Sequence, residues 1–225
     1  MYRNSALTFL DMDMIVVIVG YRTYPDGDVN DQVDDLESAL KSFKANFPQY
    51  SKPADGKWFG TLLAGHSSGA HISILSVLRQ LERKIGKVGE SSHMLDIDAF
   101  ISMAGVFSIT DHFYHEIGRG VDEISPMKPA CGNTRESFNH FSPTERFQNF
   151  ESMEKVSLPR MLFIHGLEDD TVPFTSTQKL VSAIKQTGID VNCTEYYLPN
   201  VEHAEVIIDV MTGGQSRDLV QQWLE

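Results

Sequence analysis

The sequence predicts an α/β fold: a mostly parallel sheet with helices on both faces, formed by residues 1–225 as one domain. Three observations carry this. Short apolar, often β-branched runs alternate with segments of 3.6-residue periodicity, the order that builds crossover connections between parallel strands. The runs are apolar at nearly every position, as strands buried on both faces are. The 225 residues, 41% hydrophobic and 22% charged, are enough to bury a sizeable core.

Residues 1–13 read as the tail of a helix, with Ala6, Leu7 and Leu10 on its apolar side. Residues 14–20 (MIVVIVG) form the first expected strand, and Pro25 and Gly27 mark the turn after it. Asp28 is placed to cap a helix whose apolar side chains, Val29, Val33, Leu36, Leu40, Phe43 and Phe47, recur in steps of three and four before Pro48. Residues 52–57 read as a loop and 58–64 as the second strand. A helix over about 70–81 follows, then a basic and polar loop from residue 83, and a third strand over 99–105. Residues 106–157 have weaker periodicity, many aromatics and Pro or Gly breaks at Gly118, Gly120, Pro126, Pro129 and Gly132; they read as short helices forming a small cap. A strand over 159–165, a helix over 175–187, a strand over 191–198 and a closing helix over 216–225 complete the chain.

Chemistry enters at Gly65-His66-Ser67-Ser68-Gly69, which fits G-x-S-x-G between an apolar strand and a helix. That setting holds a serine on a sharp, strained turn, with a helix N-terminus behind it that favours developing negative charge. A Gly-Ser turn of purely structural meaning is the bland alternative, and the absence of Gly-Lys-Ser/Thr excludes a P-loop. Serine needs a base, and the base needs an orienting group. On this fold they follow in the order Ser, Asp/Glu, His, from loops at the C-terminal ends of strands. The strand over 159–165 runs into Glu168, Asp169 and Asp170, and the strand over 191–198 runs into His203. All of them should collect on one rim of the sheet, where ligands of open α/β sheets bind. Asp169 is favoured as the acid by its place in His-Gly-x-x-Asp-x-x-Val-Pro, with Asp170 the open alternative. His165, His66 and His71 read as structural, and His203 alone could be an ordinary loop histidine.

The chain resembles the α/β-hydrolase esterases, and among them the isoprenylcysteine α-carbonyl methylesterases. The likeness runs through Tyr21-Arg-Thr-Tyr-Pro25-Asp-Gly, Gly65-His-Ser-Ser-Gly-Ala-His71, Ile109-Thr-Asp-His-Phe113-Tyr-His115, Phe141-Ser-Pro143, His165-Gly-Leu-Glu-Asp169, Val172-Pro173, and His203 with Met211-Thr-Gly-Gly214. The elbow and acid loop are shared by many esterases, whereas Asp-His-Phe and Phe-Ser-Pro are more specific to the methylesterases. The resemblance implies Ser67 as nucleophile, Asp169 as triad acid, His203 as base and the Ser68 N–H as an oxyanion donor. It also implies hydrolysis of prenylcysteine methyl esters, or lipidated-peptide esters, without metal or organic cofactor. A general carboxylesterase or arylformamidase is the nearest rival, and a catalytically silent binding protein the rival of another class.

One departure stands out. The second oxyanion donor of this fold comes from a His-Gly-Gly-type loop upstream of the first long helix, and no such motif occurs here. Removal of one donor costs about 10²–10³ in rate. The expectation is therefore that these residues are the body of a longer, N-terminally truncated esterase, or of a gene read from a late start. In the family the missing strand lies between residues 14–20 and 58–64, so those two must pair directly or leave backbone groups unpaired.

Asp26, Asp28, Asn30 and Glu37 approach a calcium loop, but Asp31 stands where glycine is required. Phe107, Phe113, Tyr114, Phe138, Phe141, Phe147 and Phe150 either line an apolar substrate pocket or simply pack the cap. A net charge of −12 speaks against nucleic acid and anionic membrane as partners, and the acidic residues over 28–37 and 151–154 read as solvated faces. Cys131 and Cys193 match no metal or redox spacing and read as free thiols in a reducing, cytoplasmic setting. Endomembrane contact would require a segment preceding Met1.

Overall fold

The computed structural model describes residues 2–50, 60–86, 95–150 and 156–225. The expected loop over 52–57, the start of the second strand, the polar stretch over 87–94 and the acidic residues at 151–154 lie outside the described residues.

Among the described residues, β1 (Leu62–His66), β2 (Ala99–Met103), β3 (Arg160–Gly166) and β4 (Cys193–Leu198) form one sheet in the order β1-β2-β3-β4, every pair parallel. The central register is Phe100↔Met161, Ile101↔Leu162 and Ser102↔Phe163. Side chains alternate between faces along a strand, and both faces here are covered. Phe100, Met161 and Phe163 enter one core cluster, while Ile101, Met103, Leu162 and Ile164 enter the other. That double burial is why the strands read as continuous apolar runs.

The first cluster is closed by α2 (Val29–Asn46), α3 (Ser68–Gly86) and α8 (Thr175–Gln186), through Val33, Leu36, Ile74, Leu78, Leu180 and Ile184. The second is closed by α1 (Ser5–Leu10), α9 (Glu205–Thr212) and α10 (Gln215–Leu224), through Phe9, Val206, Val210 and Val220. Asp28 caps α2 as its sequence position requires: its side chain accepts from the Asp31 N–H, and Asp31 returns the bond to the Asp28 N–H. Between β2 and β3 lie the short helices α4 (Ile109–Arg119), α5 (Met127–Ala130), α6 (Arg135–His140) and α7 (Pro143–Gln148), in the segment read as a cap. Ser108 caps α4, a left-handed Gly120 ends it, and Pro143 opens α7 where its missing N–H costs nothing.

Four expectations need correction. Residues 14–20 are not a strand. They do send Met14 and Val16 to the second cluster and Val19 to the first, the two-sided pattern of a strand. They have no ladder partner among the described residues, however, and Ile15, Val17 and Ile18 are more than half exposed. An apolar run encodes which faces are greasy; it does not encode who supplies the hydrogen bonds. In α1 the buried face is Ala6, Thr8 and Phe9, with Leu7 and Leu10 exposed, because the helix docks on α9 and the Thr8 hydroxyl donates to the Val210 carbonyl at 2.5 Å. Helix α9 itself was not foreseen. The acidic face of α2 is paired rather than bare: Asp35 takes Arg22, Asp34 takes Arg79, and the buried Glu37 takes Arg83 at 2.6 Å.

Candidate active site

Strand β1 ends on His66, and the chain turns sharply into α3 through Ser67 at φ +54°, a left-handed conformation that serine rarely adopts. The turn is pinned from both sides. The Ser67 N–H donates to the Met103 carbonyl at 2.9 Å, and the Ser67 carbonyl accepts from Ala70 and His71 at 3.0 and 3.1 Å. Gly65 is required by close approach, since a Cβ there would lie 2.4 Å from the Gly69 carbonyl group. Ser68 opens α3, in the first turn, where N–H groups have no intrahelical acceptor.

At the end of β3, Gly166 lets the next loop pass: a Cβ there would sit 2.0 Å from the Val201 carbonyl oxygen. Two backbone bonds lash the loops after β3 and β4 together, Leu167 N–H to Leu198 O at 2.8 Å and Glu168 N–H to Val201 O at 3.2 Å. This crossing brings Asp169 to His203. Asp169 Oδ2 lies 2.7 Å from His203 Nδ1, and its other oxygen accepts from the N–H groups of Thr171 and Val172 at 2.9 and 2.8 Å. Glu168 and Asp170 are exposed, and the Asp170 carbonyl accepts from His115 of α4 at 2.7 Å. Of the three acids, Asp169 is the one at the imidazole.

The electrostatics follow from this packing. Burial pushes the Asp169 carboxyl up, but the hydrogen bonds from His165, His203 and the Val172 N–H outweigh it and hold the group well below the usual carboxylate range. His165 is fully buried, with Nε2 2.8 Å from the Val172 carbonyl and 3.2 Å from Asp169 Oδ2, while Nδ1 faces the Thr177 hydroxyl at 2.8 Å. An Nε2–H tautomer satisfies every one of those contacts. It braces the acid loop. His71 is buried, lies 2.6 Å from the Phe141 carbonyl through Nε2, and is pushed by burial down to about 4; it ties α3 to the cap as a neutral ring.

Two further residues meet at the site: Tyr21, expected only as part of the family likeness, and His66, expected to be structural. Tyr21 places its hydroxyl 3.1 Å from Ser68 Oγ. It is held there by Arg22, which forks onto Asp35 through Nε and Nη2 and adds its own N–H at 2.9 Å. His66 faces His203, with ring centroids 4.7 Å apart. In the sequence Tyr21 opens the Tyr21-Arg-Thr-Tyr-Pro25 segment and His66 lies inside the G-x-S-x-G elbow. The cap aromatics fall mostly on the packing side: Phe107, Phe138, Phe141 and Phe147 are buried in the first cluster, and Tyr114 is 65% exposed. Asp28 and Asp31 of the calcium-like stretch are engaged in the α2 cap, and Glu37 by arginine. Cys131 and Cys193 are both unpaired thiols, pushed by burial up to about 12 and about 11. No helix among the described residues is long and apolar enough to cross a membrane.

The chain is 26% identical over 208 residues to the Oryza sativa subsp. japonica protein described as "Probable isoprenylcysteine alpha-carbonyl methylesterase ICME", covering 91% of this chain and 48% of the relative. It is 24% identical over 210 residues to the isoprenylcysteine alpha-carbonyl methylesterase of Arabidopsis thaliana, covering 91% and 47%. The chain thus spans about half the length of these relatives. Among solved structures, esterase B from Lactobacillus rhamnosus superposes with a TM-score of 0.66 at 18% identity, over 91% of this chain and 62% of that one. The HSL homologue EstE7 from a metagenome library superposes with a TM-score of 0.61 at 15% identity, over 91% and 63%. The family model described as BD-FAE matches residues 1–184. The chain belongs to the BD-FAE family, with the α/β-hydrolase fold of the esterases.

Proposed function

We propose that this chain hydrolyses carboxylic esters through Ser67, His203 and Asp169. The observation that carries the reading is the 2.7 Å contact between His203 Nδ1 and the buried, ionised Asp169, on the same sheet rim as a serine held at φ +54°. With Nδ1–H donated to Asp169, the lone pair of His203 resides on Nε2 and is free to take the Ser67 proton. Ser67 Oγ attacks the ester carbonyl, and the carbonyl π pair moves onto oxygen, which the Ser68 N–H stabilises at the start of α3. Collapse of that oxyanion expels the alcohol, which leaves with the proton from His203. Water, deprotonated by His203 in turn, cleaves the acyl-enzyme to free carboxylic acid and returns Ser67.

The substrate class we propose is a prenylcysteine methyl ester, giving the free carboxylate and methanol. The identity to plant methylesterases over 91% of the chain supports it. So do the exposed apolar side chains Tyr114 and Ile117 on α4, the helix that His115 ties to the acid loop, and Leu167 within that loop. The test is a substrate panel of a prenylcysteine methyl ester, a short p-nitrophenyl ester and an N-formyl aromatic amine. Preference in kcat/KM for the prenylated ester by about tenfold or more, near 1.4 kcal/mol, is the expected result. Equal or better turnover of either other substrate overturns the specificity, and no turnover of any by wild type overturns the activity.

A further inference from the structure

We infer that His66, the residue directly before the nucleophile, is the positioning residue for the catalytic base: its Nε2–H holds the backbone of the His203 loop and its ring backs the His203 imidazole. The inference rests on the proposed triad.

Three features support it independently of the family. First, His66 Nε2 lies 2.9 Å from the His203 carbonyl oxygen. A carbonyl only accepts, so the ring carries its proton on Nε2. Second, the two imidazoles face each other, centroids 4.7 Å apart and tilted by 49°. Third, His66 ends β1, a strand whose register on β2 runs to His66↔Met103, so the hydrogen bond ties the loop that carries His203 to the sheet. The base is thereby clamped twice: at Nδ1 by Asp169 from the β3 loop, and at its own backbone by His66 from β1.

The chemistry of the clamp also demands neutrality. In the reaction His203 becomes an imidazolium, and a second cation one ring away would oppose it. Burial pushes His66 down to about 4, against the hydrogen bond to His203 and the pull of Asp169, so the ring stays uncharged wherever His203 works as a base. Lysine or arginine at this position would supply the donor and defeat the charge requirement. A neutral donor of the right reach is what the site needs.

The test compares His66→Gln, His66→Asn and His66→Leu with wild type, by turnover of p-nitrophenyl acetate and by the rate of fluorophosphonate labelling of Ser67. Glutamine places a neutral N–H close to where Nε2 was, asparagine places it too short, and leucine fills the space with no donor. Leu and Asn should lower kcat and the labelling rate about tenfold, the value of one lost hydrogen bond on a positioned group, with KM within about twofold. Gln should recover most of the loss, at a melting temperature shared with Leu and Asn. A purely space-filling role predicts the opposite order, with Leu best and Gln no better than Asn, and that result overturns the inference. If wild type neither labels nor turns over, the triad reading falls and takes this one with it. If wild type works and His66→Leu stays within twofold, this inference alone falls.

Discussion

Replacing Asp169 by Asn tests the core of the site most searchingly, because it changes one atom and should change everything the base does. Asp169 accepts from His203 Nδ1 at 2.7 Å, from the Thr171 and Val172 N–H groups at 2.9 and 2.8 Å, and lies 3.2 Å from His165 Nε2. Asn has a single oxygen. Two backbone donors on the loop side claim it, so the amide NH₂ turns toward His203 and His165. That NH₂ can only donate, which forces the His203 proton from Nδ1 to Nε2, the tautomer that cannot accept from Ser67. The rate should fall by about 10⁴, the size of a wrong-tautomer defect in a serine triad. Stability should fall as well, since each hydrogen bond to a charged group is worth about 1.5–3 kcal/mol.

The pH dependence has a definite sign. Asp169 is depressed in the folded chain, so its stabilisation is complete above the ordinary carboxylate value near pH 4 and is lost as pH falls through the folded value. The melting-temperature gap between wild type and Asp169→Asn should therefore be widest at neutral pH and narrow below about pH 4. The assay is p-nitrophenyl ester turnover with a parallel thermal melt, and Asp170→Asn serves as control. Asp170 is exposed, and His115 meets it at the backbone carbonyl, so that variant should stay within about twofold. If Asp169→Asn keeps turnover within tenfold of wild type, or Asp170→Asn is the one that fails, the reasoning is refuted.

Further outcomes follow from the same geometry. Gly65→Ala should destabilise by about 1–3 kcal/mol in urea titration, since its Cβ meets the α3 backbone at 2.4 Å, whereas Gly69→Ala, with nothing within 4 Å, should be near neutral. Gly166→Ala should slow ester turnover more than Gly69→Ala does, because its Cβ collides with Val201 at the crossing that delivers His203. Phe163→Ala, at a fully buried position edge-on to both Phe100 and Phe107, should cost about 3–5 kcal/mol by denaturant midpoint.

Much of this site is legible in the sequence because it is local. The elbow needs only a strand, a serine between glycines and a helix. Asp169 and His203 each follow their strand within a few residues, so the parallel topology carries them to one rim. Asp28 announced α2 because capping chemistry acts over three residues. What escaped is what depends on distant partners. Residues 14–20 carry a strand's composition without a strand's ladder, and ladder pairing is a tertiary property. Helix α9 is rich in Val and Ile, which read as strand formers, and it is helical because Val206, Ile207 and Val210 pack between α1 and the sheet. Leu7 and Leu10 outrank Ala6 in greasiness, yet Ala6 is buried and both leucines are exposed, because the docked helix turns Thr8 and Phe9 inward. His66 and Tyr21 are separated from His203 and Ser68 by 137 and 47 residues, and only the fold reveals those contacts.

The central claim is that Ser67 is a nucleophile activated by His203. Intact-mass analysis of the whole 225-residue chain after treatment with a fluorophosphonate, followed by peptide mapping, tests it most directly. The account predicts one adduct per chain, mapped to Ser67, absent from Ser67→Ala and slowed by orders of magnitude in His203→Ala. Labelling that persists in Ser67→Ala, or proceeds at the wild-type rate in His203→Ala, contradicts it.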